Sequence, residues 1–234
     1  MSLLDRLRGN QFLYRLLSAL RKHLGRGFMT AAHGIRGVQR VKVVFSCFSG
    51  ASYADNPRAV CEALMALRPN LRIIWQMSPN AAGLNELPAG VEVVRPRSLS
   101  ILYHLATARV LVDNVNRPIY MIKYPDQVYI QTWHGDRAMK KILLDMNDGT
   151  EYPDARYMDL GVSGSRFGTG LFRSAFGYRG RMLEVGCPRN DVLLYPPEGL
   201  AAHVRAELGI PEGTRALLFA PTFRNETMGR SQKV

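Results

Sequence analysis

Val128-Tyr-Ile-Gln-Thr-Trp-His-Gly135 is the stretch whose reading decides the fold. Its first half is apolar and rich in residues that favour strands, and it predicts a buried strand. It ends in His134-Gly135. Asp136 then has the chemistry of a helix N-cap, and Arg137-Ala-Met-Lys-Lys-Ile-Leu-Leu144 reads as a helix. His134 is therefore expected at the carboxyl end of a strand, where open α/β sheets bind their ligands. The amides and dipole of a helix start favour an anion there, and Lys140 and Lys141 add two cations one turn on. This pattern suits a base working beside phosphate. A core histidine closing a strand, with lysines on a solvated face, fits the local pattern equally well.

Outward from this stretch, strands and helices alternate. Strands are predicted over Val41–Ser46, Leu71–Trp75, Val91–Val94, Arg109–Asn114, Tyr129–Trp133, Asp159–Ser163 and Met182–Val185. Helices are predicted from Asn56-Pro57, with Asn as cap and Pro at the first position, over Ser98–Thr107 and over Ser165–Phe176. The alternation predicts an α/β fold with a doubly wound, Rossmann-like parallel sheet. Polar residues gather after the strand ends: Asp113-Asn114, His134 with Lys140 and Lys141, Ser163-Gly-Ser165, and Arg189-Asn190-Asp191. Arg189 can grip a phosphate with two parallel bonds. Asp191 can orient an imidazole or cap a helix, and Ser163 and Ser165 read first as helix caps.

The ends of the chain differ from its middle. Residues 1–37 read as a basic amphipathic helix and a linker. Arg8, Arg15, Lys22 and Arg26 share one stripe. Leu3, Leu7, Leu13, Tyr14, Leu17, Leu20 and Leu24 fall roughly opposite, with Gly25 to Gly27 and Gly34 to Gly37 as the linker. Such a helix can lie in the headgroup layer of an anionic membrane or pack on a protein surface. Residues 38–194 form the Rossmann-like domain. Tyr195-Pro-Pro-Glu-Gly199 reads as a seam, and 195–234 as the start of a second α/β domain, with a helix over Leu200–Leu208 and a strand over Arg215–Phe219. The fifteen residues past this strand end do not complete a domain of ordinary size, so the sequence is expected to be a fragment or a truncated product.

The 234 residues carry a formal net charge of +12, which points to an acidic partner. The basic residues outside the first helix are spread rather than interleaved with aromatics on one face, and no nucleic-acid partner is expected. Cys47, Cys61 and Cys187 form no CxxC pair, so neither a zinc site nor a disulfide framework is indicated. No carboxylate pair is spaced for a metal, and the expected chemistry uses neither metal nor cofactor. No P-loop, HExxH or GxSxG occurs.

Three ordered motifs carry a family resemblance: Gln131-Thr-Trp-His-Gly135 with Lys140-Lys141, Gly186-Cys-Pro-Arg-Asn-Asp191, and Phe219-Ala-Pro-Thr-Phe-Arg224. Together with Asn56-Pro57-Arg58 and Ala106 to Asn114 they resemble the CDP-glycerol glycerophosphotransferases, the teichoic-acid primases and polymerases. The chain departs from the family pattern at Asp136 and Arg137, where Thr-Pro is usual, and at Cys187, where Tyr is usual. The resemblance implies a GT-B-like architecture and a peripheral enzyme on the cytoplasmic face of the cell membrane, acting on a lipid-linked acceptor. In that reading His134 is the general base and Asp191 its catalytic partner. Lys140, Lys141, Arg189, Asn190, Thr222 and Arg224 bind CDP-glycerol. Another GT-B transferase, or a non-catalytic membrane-associated fragment, is the alternative.

Overall fold

The computed structural model describes residues 11–117, 121–135, 141–146 and 154–220. The chain divides into two compact units, Met1–Asp191 and Val192–Val234. Among the described residues of the first unit, helix α1 (Gln11–Arg36) leads into β1 (Gln39–Ser46), α2 (Asp55–Leu67), β2 (Arg72–Gln76), β3 (Glu92–Val94), α3 (Leu99–Thr107), β4 (Ala108–Asp113), β5 (Val128–Gln131), α4 (Asp154–Tyr157), β6 (Leu160–Ser163), α5 (Arg166–Ala175) and β7 (Arg181–Glu184). The short helix α6 (Asp191–Leu194) follows, and α7 (Leu200–Glu207) lies in the second unit.

The strands form one sheet in the order β3-β2-β1-β4-β5-β6-β7, each pairing parallel. The order reverses between β1 and β4, so their carboxyl ends open the crevice of a doubly wound sheet. Alternate residues feed two cores. Val43, Phe45, Ile73, Trp75 and Val112 pack on the face covered by Val60, Cys61 and Leu64 of α2. Val44, Ile74, Leu111 and Tyr129 pack on the other, with Met29 of α1, Ile101 and Leu105 of α3, and Phe172 and Ala175 of α5. The period of two along each strand explains why neighbouring residues serve opposite cores.

Several local expectations change. Gly25, Gly27 and Gly34 lie inside α1, which runs unbroken to Arg36, so they form no linker. A Cβ at Gly25 would stand 3.6 Å from Leu102, which shows how closely the helix approaches α3 at that point. The docked side of α1 comprises Gly25, Met29, Ala32 and His33. His33 Nδ1 pairs with the Ala106 carbonyl at 3.0 Å, and its ring stacks on Tyr124 with centroids 3.7 Å apart. Leu16, Leu20 and Leu24 point outward, 54%, 52% and 66% exposed. Ser98 and Ser165 are N-caps, accepting from the amides of Ile101 and Gly168. Asn56 is not one: it lies inside the first turn of α2, behind Ala54 and Asp55. Leu143–Met146 is a 3₁₀ turn rather than the end of an α-helix, and the predicted start of that helix lies outside the described residues. Arg215–Phe219 is not a strand. No described strand pairs with it, and Leu217, Leu218 and Phe219 are exposed.

Candidate active site

The strand β5 ends at Gln131, and the next three residues carry His134 toward the switch point. Trp133 takes φ +49°, a left-handed conformation that is strained for a bulky side chain. Its amide is held by Gln131 Oε1 at 2.9 Å, while the Thr132 amide donates to the Asp113 carbonyl at 2.9 Å. The turn brings His134 Nδ1 to 2.7 Å from the main-chain carbonyl of Asn114, just past β4. A carbonyl can only accept, so Nδ1 carries the hydrogen and donates it. In the neutral imidazole this tautomer leaves the lone pair on Nε2. Trp133 and Phe48 flank the imidazole, with ring centroids 4.1 Å and 5.4 Å away. Phe48 stands in the turn after β1, so both sides of the switch point contribute.

Asn114 is fully buried and ties the crevice together. Its amide Nδ2 donates to Asp55 Oδ2 at 2.8 Å, and its Oδ1 accepts from the Phe48 amide at 2.8 Å. Asn56, also buried, donates to the carbonyl of Trp133 at 2.9 Å and accepts from the Arg189 amide at 3.2 Å. Arg189 donates from one terminal nitrogen to Asp55 Oδ1 and to the His134 carbonyl, the latter at 2.8 Å. The structure therefore brings His134 and Arg189 together, although 55 positions separate them.

Of the other expected site residues, Asp191, Asn190 and Lys141 fall among the described residues. The imidazole takes its hydrogen-bond acceptor from Asn114; Asp191 is exposed at the start of α6. Asn190 ends a 3₁₀ turn, its amide bonded to the Cys187 carbonyl at 2.8 Å. Lys141 is exposed. Lys140, Thr222 and Arg224 lie outside the described residues. Ser163 bonds Thr169 at 2.7 Å, so it supports α5 rather than facing a ligand. Sequence reasoning passed over Asp55, and gave Asn56 only a capping role. An Asp-Asn pair ahead of a proline reads as a helix start, and nothing local shows that both side chains reach residues beyond the ends of other strands.

Behind the crevice lies a buried polar network. Asp113 pairs with Arg117 at 3.2 Å, and Asp154 accepts from the Arg117 amide and from the Tyr129 hydroxyl, the latter at 2.7 Å. Burial pushes the Asp113 carboxyl up to about 6 against the pull of Arg117. Burial also raises Asp154, while the Tyr129 hydroxyl lowers it.

Residues 28–234 match the family model of the CDP-glycerol:poly(glycerophosphate) glycerophosphotransferases. The chain belongs to this family. It is 32% identical over 200 residues to the teichoic acid poly(glycerol phosphate) polymerase of Staphylococcus epidermidis, an overlap of 79% of this chain and 27% of that protein. The corresponding polymerase of Bacillus subtilis is 30% identical over 203 residues, 81% of this chain and 27% of that one. The structure of the wall teichoic acid polymerase TagF superposes with a TM-score of 0.76 at 28% identity, covering 97% of this chain and 58% of that one. A histidine-to-asparagine variant of TagF soaked with CDPG matches equally well. This glycerophosphotransferase-family chain thus spans about a quarter of the length of the two curated polymerases. The expected α/β, GT-B-like, doubly wound fold agrees with the seven-stranded parallel sheet and with this likeness.

Proposed function

We propose that the chain carries the acceptor side of a glycerophosphotransferase that moves glycerol phosphate from CDP-glycerol to a hydroxyl of a lipid-linked acceptor in teichoic-acid synthesis. The observation that carries this is the 2.7 Å bond from His134 Nδ1 to the Asn114 carbonyl at the sheet's switch point, which leaves Nε2 as a base. His134 Nε2 takes the acceptor proton as the hydroxyl oxygen bonds to the β-phosphorus. The bond from that phosphorus to the bridging oxygen breaks, and CMP leaves with the oxygen. Such a base contributes about 10²–10⁴-fold. Cations aimed at the phosphate oxygens supply the remaining stabilisation. Arg189, bonded to the His134 main chain, is the best placed of these, and Lys140, Lys141 and Arg224 are further donors, with Asn190 and Thr222 as polar contacts. Asp191 acts in this reading on the substrate side rather than on Nδ1.

In this reading the outward leucines of α1 meet the surface of an anionic membrane, and the protein works there as a peripheral enzyme on the cytoplasmic face. No described helix is long and apolar enough to cross a membrane. The test is CMP release from CDP-glycerol with membrane acceptor, comparing the protein with its His134→Ala variant. Release should fall at least about 10²-fold; equal release from both would overturn the reading.

A further inference from the structure

Asp55 has no role in the chemistry above, yet it occupies an unusual position. It is the first residue of α2 and takes φ +60°, a left-handed conformation uncommon outside glycine. Its side chain is 6% exposed. Three donors converge on the carboxylate. Oδ1 accepts from the Asn56 amide at 2.8 Å and from Arg189, and Oδ2 accepts from Asn114 at 2.8 Å. A carboxylate this enclosed is tolerable because it is paired and fully hydrogen-bonded. Arg189, by contrast, is 37% exposed, and the same nitrogen that meets Asp55 also meets the His134 carbonyl. An arginine on a turn samples many rotamers and gains little from a single surface pair. Here one buried anion fixes its direction. The strain at Asp55 and Trp133 sits at the two ends of this arrangement, where strain is expected if surrounding structure holds a functional geometry.

We propose that Asp55 is a positioning residue: its buried carboxylate aims the Arg189 guanidinium at the main chain of His134, so that the cation is delivered beside the base rather than into solvent. Asp55 touches no reacting atom and works through Arg189, while its bond to Asn114 ties that aim to the carbonyl that fixes the His134 tautomer. The inference rests on the reading of His134 as base and extends it.

The test is a double-mutant cycle of Asp55→Asn, Arg189→Gln and the pair, with His134→Ala alongside. It is read by CMP release and by the ring-nitrogen NMR shifts of His134 in the full chain. Asp55→Asn keeps the shape but removes the charge and sets its amide against that of Asn114. It should lower kcat/KM about 10-fold to 10²-fold, the scale of a roughly 1 Å misplacement. In the Arg189→Gln background it should add nothing. The reciprocal pair Asp55→Asn with Asn114→Asp restores a donor and an acceptor between the two positions but leaves Arg189 without its anion, and turnover should stay low. Independent, multiplying losses from Asp55→Asn and Arg189→Gln would overturn the proposal. So would recovery of turnover in the reciprocal pair, which would make Asp55 a structural hydrogen-bond partner alone. If His134→Ala leaves release intact, the base reading falls instead. The proposal is then decided by the ring shifts, which must move in Asp55→Asn if Asp55 holds this geometry and stay fixed if it does not.

Discussion

Replacing Tyr129 by Phe removes one oxygen from the centre of the buried network. The ring is fully buried, and its hydroxyl donates to Asp154 Oδ2 at 2.7 Å. The same oxygen accepts from Gln131 Nε2 at 3.0 Å, but that amide also reaches the Val115 carbonyl at 3.0 Å, so it keeps a partner. Asp154 keeps the Arg117 amide, at 3.1 Å and 3.0 Å to its two oxygens. The loss is therefore one charge-assisted hydrogen bond, about 2 kcal/mol, or roughly 4–8 °C in Tm for a domain of this size. The loss depends on pH in a definite sense. Burial raises the Asp154 carboxyl on folding and the Tyr129 hydroxyl opposes that rise. A carboxyl raised on folding contributes most below its unfolded pKa, and stability declines as pH climbs to the folded value. Without the hydroxyl the folded value is higher still, so the decline is larger and the gap between wild type and variant widens with pH. Urea unfolding followed by circular dichroism at pH 5 and pH 8 measures both quantities. A gap under about 0.5 kcal/mol, or one that narrows as pH rises, would refute this account of the network.

Gly50 takes φ +91°, and a Cβ there would stand 2.7 Å from Pro96 Cγ and 3.2 Å from the Gln76 carbonyl. Gly50→Ala should destabilise by ~3 kcal/mol through strain and overpacking, measured as a fall in the urea midpoint. Lys42 is fully buried against Thr107, and burial, with help from Arg72, lowers its amine to about 8. A base depressed on folding makes stability rise with pH between the folded and unfolded values, so Lys42→Met should remove a positive slope above pH 8 in unfolding curves. An unchanged slope would show that Lys42 does not titrate there. Leu20→Asp with Leu24→Asp should abolish sedimentation with vesicles containing phosphatidylglycerol while leaving the urea midpoint within about 0.5 kcal/mol equivalents of wild type. Retained sedimentation would remove α1 from the membrane face.

The sheet was legible because each strand carries its own signal. Val43, Val44 and Phe45, for instance, are β-prone whichever core they enter. Ser165 was legible as a cap because a cap is a bond within four residues. Asn56 obeyed the same local pattern but spends its side chain on Trp133 and Arg189, partners far along the chain. The continuity of α1 was hidden because glycine lowers helix propensity by about 1 kcal/mol, while the packing that outweighs this, Met29 and His33 against the domain, is tertiary. That His134 follows a strand end was legible from the sequence. Its partner was not, since a main-chain carbonyl leaves no mark in sequence. Arg215–Phe219 has the composition of a strand, but composition cannot supply the neighbour that a ladder requires.

The residues that meet in the crevice stand at positions 55, 114, 134 and 189, and this spacing has a consequence for how the protein is made. Contacts so distant in sequence form late, after loop closure has been offset by the sheet. Synthesis proceeds from the N-terminus, so Asp55 exists without the cation that balances it until a further 134 residues have been made. A nascent chain ending before Arg189 has an anion with every reason to stay in water, and α2 then has reason to dock loosely. The last turn of the first unit is thus the piece that lets its first crossover close, and a stalled chain should expose the crevice rather than a finished site.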